Sequence, residues 1–278
     1  MGIPSRMFMH PKDKAASDAL KRLPMLDELT RQFLHHFEER AYLTLLLATG
    51  LEITSRQKPA LHQWLVDVAT PLGIPIPRMF LVDSSDPNAY AVGAKAPFII
   101  VHSSLLTSLN EDEARAVIAH ECGHIACDHM LYQTLSYILV HYGRTFLGDT
   151  GKLLTGPILM GLRYWTRMSE FSADRAAAAA MGDVDPMKRA LLRLAAGPKE
   201  LTEDVDMDEY MKQGRSFELA MDSLWVKYLL SSRLVWASHP MAAVRISELH
   251  SWQSSEDFLS IRDGRFSSSS DVRELFGS

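Results

Sequence analysis

The sequence predicts an α+β fold, mostly helical, built around one small β-sheet. Apolar residues recur at three- and four-residue spacing through both ends of the chain, the mark of amphipathic helices. Between Ile74 and Ser104 the character changes to short β-prone runs separated by Pro, Asp, Asn and Gly. After residue 104 no further convincing strand follows. These divisions give a helical portion over residues 1–75, a core over 76–252, and a Ser-rich mobile tail over 253–278.

From Lys12 to about Glu39 the helical pattern runs through Leu20, Leu23, Leu26, Leu29, Phe33 and Phe37, with Pro24 dividing it into two helices. Tyr42 to Ile53 is an apolar run punctuated by Gly50, equally compatible with helix and strand. Ser55 to Leu72 reads as a helix stopped at Gly73. Met79 to Val82 and Phe98 to Val101 are predicted strands, and Asn88 to Ala91 lies between them as a middle or edge strand. Asn110 followed by Glu113 forms a capping-box pattern, opening a helix that continues to about His129. Leu162 to Met181 is a further helix with Gly182 as its stop. Shorter amphipathic helices follow over 186–195, 203–213, 218–230 and 240–252.

Composition narrows the function classes. A chain of 278 residues, 47% hydrophobic and 23% charged, has ample material for a core. Its net charge of -5 argues against a nucleic-acid partner and leaves a neutral or polypeptide one open. Cys122 and Cys127 sit five apart in one helix and diverge by about 140°, so they form no disulfide. Reduced thiols and a polar start without a secretory signal fit a cytoplasmic chain. Leu131 to Trp165 is the most apolar region, yet His141, Arg144, Asp149, Lys152 and Arg163 interrupt it too often for a membrane span. It either packs as a helical hairpin on the body or a partner subunit, or offers a peripheral surface that touches lipid. Oligomeric state stays open.

The chemistry concentrates at His120-Glu121-Cys122-Gly123-His124, an H-E-x-x-H string. Four helical residues turn through about 400°, so both imidazoles leave one face and reach one zinc ion. Glu121, about 100° from His120, can meet water at that ion as general base. A catalytic zinc takes a third protein ligand. The metzincin extension fails, because Cys127 and Met130 stand where Gly and His belong. Asp128 is about 12 Å along the helix from His120, and His129 points about 140° away from His124. A carboxylate on a later helix remains: Glu170 supplies it, and Asp174 one turn on orients a ligand imidazole. Other motifs fail. Residues 148–152 resemble a phosphate loop but lack its first Gly and its Ser/Thr, and there is no nucleophile elbow.

Taken together and in order, four motifs resemble the HtpX/CAAX-prenyl-endopeptidase family of gluzincin metallopeptidases, over roughly Leu61 to His250. They are Pro87-Asn88-Ala89-Tyr90-Ala91, Asn110 through His124, Glu170 to Asp174, and Ser238-His239-Pro240 with Arg245 beyond. The resemblance implies a zincin-type fold with the H-E-x-x-H helix at an active-site cleft between sheet and helices. It implies one zinc per chain on His120, His124 and Glu170, with Glu121 as general base. His239 would steady the oxyanion, Arg245 and Asp174 would support the ligands, and the strand Asn88, Ala89, Tyr90, Ala91 would pair with substrate backbone. The expected function is zinc-dependent endopeptidase action on peptides or proteins. Its alternative is an inactive or latent zinc-stabilised scaffold of the same fold. Two departures stand out: family members carry membrane-spanning helices that this chain does not show, and Cys122 replaces a larger aliphatic residue.

Overall fold

A computed structural model describes residues 2–22, 26, 30, 39–220 and 241–266, without the side chains of 137, 138 and 140–157. Helices dominate, and one four-stranded sheet flanks them, so the α+β expectation holds. Helix α1, Pro11–Leu20, begins where His10 caps it: the His10 ring Nδ1 accepts from the Lys12 N–H, and Pro11 fills the first turn at no hydrogen-bonding cost. It ends at Leu20; Pro24 and most of the second helix expected after it lie outside the described residues.

The undecided segment from Tyr42 to Ile53 turns out to contain both structures. Helix α2 is Glu39–Thr49, and strand β1 is Leu51–Ile53, with Gly50 between them. Helix α3, Pro59–Ala69, follows, and Gly73 beyond it adopts φ 69°, a left-handed conformation that glycine enters without penalty. Strands β2 (Arg78–Val82), β3 (Ala89–Val92) and β4 (Phe98–His102) complete the sheet in the order β1-β2-β4-β3. Only the β2–β4 pair is parallel. β3 is therefore an edge strand.

Strand β4 reads as an unbroken apolar run because both its faces are buried. Ile99 and Val101 point into the main core, while Phe98 and Ile100 meet α2 through Leu46 and Tyr42. The main-core face looks onto helix α5, after the short α4 (Ser103–Ser108). Helix α5, Glu111–Ala126, carries the full capping box between Asn110 and Glu113. It is buried almost throughout from Ala114 to His124. Cys122 and Cys127 are both buried and unbonded, consistent with packing.

Helix α6, Met130–Met181, is a continuous helical stretch that cannot be straight. The rings of Tyr132 and Trp165 lie 5.7 Å apart, although 33 residues of straight helix would separate them by about 50 Å. The chain reverses between them, and the returning Ile158, Leu162 and Trp165 form a second core with Leu135, Leu20 and Leu26. That is the helical hairpin expected of the apolar region, packed on the body. Among the described residues, no helix is long and apolar enough to cross a membrane.

The carboxy-terminal half of α6 presses against α5 at Gly123. A Cβ there would stand 2.6 Å from the Cβ of Ala176 and 3.1 Å from the Ala173 backbone. Small residues on both helices let the two axes approach closely. Gly123→Val is expected to destabilise the protein by about 1–3 kcal/mol. Urea unfolding of the variant measures it, and an unchanged midpoint would mean that the helices tolerate wider spacing.

Helices α7 (Asp185–Ala196), α8 (Lys199–Thr202), α9 (Met207–Ala220) and α10 (Ala242–Trp252) cover the remaining sides. The expected helix over 218–230 lies largely outside the described residues. One expectation needs correction within the described residues: 253–266 are not a mobile tail, while 267–278 lie outside the described residues. Helix α11, Glu256–Arg262, is capped by the Ser255 hydroxyl and buries Phe258 and Ile261. Phe258 packs against Trp252 with the rings tilted at 56° and their centroids 5.0 Å apart. Serine here is a cap rather than a sign of disorder.

Candidate metal centre

Helix α5 projects His120 and His124 from one face, and α6 brings Glu170 opposite them. The two Nε2 atoms are 3.1 Å apart. Glu170 Oε2 lies 3.5 Å from His120 Nε2, and its Oε1 lies 3.5 Å from His124 Nε2. Each of the three is about 97–98% buried. Ligands at about 2.0–2.2 Å on a tetrahedral ion sit about 3.3–3.6 Å from one another, close to the 3.1, 3.5 and 3.5 Å sides of this triangle. Two ring nitrogens directed at each other and at a carboxylate suit a cation between them. Among the described residues this is the one cluster of three or more such side chains that can share an ion.

The groups around the triangle are also charged and buried. His120 Nδ1–H donates to Asp174 Oδ1 at 2.9 Å. Arg245, on α10, donates from Nε and Nη2 to the two Asp174 oxygens at 2.7 and 2.6 Å, and its Nη1 is 2.9 Å from Glu170 Oε2. Burial opposes ionisation of Asp174, but the Arg245 guanidinium and the bond from His120 together outweigh burial and hold the carboxyl below its usual range. Burial likewise disfavours charge on both rings. At His120 the bonds to Asp174 and Glu170 override it and push the pKa up to about 10. At His124 burial prevails, aided by the neighbouring charge on His120, and the pKa falls to about 3. The pair thus holds one positive charge, on His120, facing carboxylates. A divalent cation suits the same place.

Glu121 opens onto a cleft of about 250 Å³, lined in part by Asn88, Ala89, Val117, His120 and Arg245. Its Oε2 accepts the backbone N–H of Ala91 at 2.9 Å, so the edge strand β3 runs directly beside this carboxylate.

The model of Peptidase family M48 matches residues 55–253. The chain belongs to peptidase family M48. Relatives support the HtpX-type branch of these zinc metallopeptidases. The Plastoglobule-localized metallopeptidase 48, chloroplastic, of Arabidopsis thaliana is 32% identical over 256 residues, covering 91% of this chain and 74% of that protein. A Protease HtpX homolog of Leptothrix cholodnii is 30% identical over 207 residues, covering 59% of this chain and 71% of its own. Protease HtpX of Aliivibrio salmonicida is 31% identical over 196 residues, covering 57% and 67%.

Within this M48 peptidase the structure brings together His120, Glu121, His124, Glu170, Asp174 and Arg245 from three helices. Of the strand residues, Asn88 and Ala89 line the cleft and Ala91 meets Glu121 through its backbone. The Tyr90 side chain lies on the opposite face of the sheet, with the Tyr42 hydroxyl 3.4 Å from its own. Alternation along a strand requires that split. His239 and its neighbours Ser238 and Pro240 lie outside the described residues.

A second correction concerns His129. Helical phase carried past Ala126 places it away from His124, yet its Nδ1 is 3.0 Å from His124 Nδ1. The helix ends at Ala126, Asp128 takes φ 59°, and the His129 N–H turns back onto the His124 carbonyl at 3.0 Å. A signal was present in the sequence, since Asp tolerates the left-handed region better than most residues.

Proposed function

We propose that this chain is a zinc-dependent endopeptidase, with His120, His124 and Glu170 holding one zinc and Glu121 serving as general base. The observation that carries it is the buried triangle of two Nε2 atoms and one carboxylate at tetrahedral spacing, with Glu121 beside it on an open cleft. Zinc held there supplies Lewis acidity, acidifying water and polarising the scissile carbonyl. Glu121 accepts the proton of the attacking water and hands it to the departing amine. Asp174 accepts from His120 Nδ1–H and so leaves the Nε2 lone pair for a metal that the site would hold. Arg245 holds Asp174 and Glu170 in register. His239 steadies the oxyanion.

The substrate is a peptide or protein segment laid along β3. Asn88 and Ala89 line the cleft at this edge strand, and the Ala91 N–H meets Glu121 beside it, so an extended chain laid there can bond to the strand's remaining outward backbone groups, with little demand on side chains.

A casein or peptide-library digest tests the proposal. Cleavage by the purified protein, abolished by a chelator and restored by zinc, is the expected result. Cleavage indifferent to chelation would rule out metal-assisted hydrolysis, and no cleavage by zinc-loaded protein would leave a silent scaffold.

A further inference from the structure

We propose that Asp13, on the amino-terminal helix α1, is a positioning residue of the metal centre that acts on His124 through His129. This rests on the zinc reading above and extends it to a part of the chain remote from the motif. His124 directs Nε2 at the metal triangle and its other nitrogen, Nδ1, at His129 Nδ1, 3.0 Å away. His129 directs Nε2 at Asp13 Oδ2, also 3.0 Å away. Asp13, His124 and His129 are all at least 98% buried.

The proton positions follow from what each group can do. An ionised carboxylate only accepts, so His129 Nε2 carries the hydrogen that faces Asp13. With the ring hydrogen on that side, Nδ1 of His129 offers a lone pair. His124 Nδ1 must donate to it, which leaves the His124 Nε2 lone pair for the metal. Asp13 thereby selects the tautomer that ligation requires, one imidazole removed from the ligand. The arrangement parallels the other ligand, where His120 Nδ1–H meets Asp174 directly.

Asp13 is itself held firmly. It accepts from the Ser172 hydroxyl at 2.5 Å and the Ser17 hydroxyl at 3.3 Å. Trp165 Nε1–H donates to Ser17 at 2.7 Å, and the Trp165 and His129 rings pack nearly perpendicular with centroids 5.4 Å apart. Burial opposes ionisation of Asp13, but the hydrogen bonds from His129, Ser172 and Ser17 outweigh it and hold the carboxyl below its ordinary range. The segment matched by the M48 family model, 55–253, contains His124 and His129 but not Asp13. Helix α1 is therefore a contribution of this chain from outside that segment. One competitor stands close: the Gln133 amide nitrogen is 3.0 Å from the same His124 nitrogen, and with the amide turned over its oxygen would accept the Nδ1–H in place of His129.

The test is zinc affinity, measured by competition with a chromophoric chelator on full-length protein, with the visible spectrum of the cobalt-substituted protein alongside. Asp13→Asn is expected to weaken zinc binding about tenfold or more and to shift the cobalt bands. His129→Ala should do the same, and the double variant little more, because both substitutions cut one chain of contacts. Glu248→Gln loosens the docking of α1, since Glu248 accepts from Lys12 Nζ at 2.6 Å and pairs with His10 at 3.2 Å, but it leaves the chain intact. It should bind zinc like the wild type. Asp13→Asn binding zinc within twofold of wild type would overturn the inference. So would full additivity in the double variant, or an equal loss in Glu248→Gln, which would reduce the effect to docking. Loss in Gln133→Ala with none in Asp13→Asn would transfer the role to Gln133. A wild-type protein that binds no zinc would instead refute the metallopeptidase reading itself.

Discussion

Glu121→Gln is expected to lower peptide cleavage by about 10²–10⁴-fold while leaving the fold and the zinc content intact. The carboxylate is 97% buried, beside the metal triangle, and glutamine matches it in size. Its amide oxygen can still accept the Ala91 N–H, so β3 keeps its position against α5. What it cannot do is take a proton from water. The measurement is kcat/KM on a cleavable peptide, with zinc stoichiometry and thermal midpoint on the same preparation. Full activity with normal zinc would remove Glu121 from the chemistry. Loss of activity together with loss of zinc would make it a structural residue.

Arg245→Met carries the largest expected effect on stability, a loss of about 3–5 kcal/mol. The guanidinium is 98% buried and makes three close contacts, two to Asp174 and one to Glu170. Methionine fills much of the volume but leaves both carboxylates short of a partner in a dry interior. Arg245→Lys should fall in between, because one ammonium on a flexible stem cannot reproduce the fork. Adding Asp174→Asn to Arg245→Met should recover part of the loss by removing one stranded charge. Urea unfolding of the four proteins checks this. A loss below about 1 kcal/mol in Arg245→Met would show that water or another group takes over the pairing.

The sequence carried most of the centre because its information is local. Two histidines four apart in a capped helix must share a face, and the Asn110–Glu113 box marks where that helix starts. Glu170 and Asp174 came from the demand for a third ligand and from turn spacing. Arg245 rested on resemblance, since nothing near it in the chain announces a buried guanidinium. The sheet was legible from its β-prone runs, except for β1. There, three residues after α2 were too short to separate from the apolar helix before them.

What escaped depends on contacts distant in the chain or on one backbone angle. Asp13 reads as an ordinary acidic residue in the first turn of a helix, favourable there through the macrodipole. Only the packing of α1 against α6 shows it as the buried partner of a histidine 116 positions away. His129 was misplaced because ideal helical phase was carried past Asp128, where the chain turns left-handed. The segment after Gln253 was taken as mobile because serine is frequent there. Phe258 and Ile261, three apart, anchor it nevertheless.

A zinc-edge anomalous difference map of crystals grown from active protein tests the metal centre most directly. The expected result is one peak per chain at about 2.0–2.2 Å from His120 Nε2, His124 Nε2 and a Glu170 oxygen. A peak coordinated without Glu170, or none between the two imidazoles of an active preparation, would contradict it.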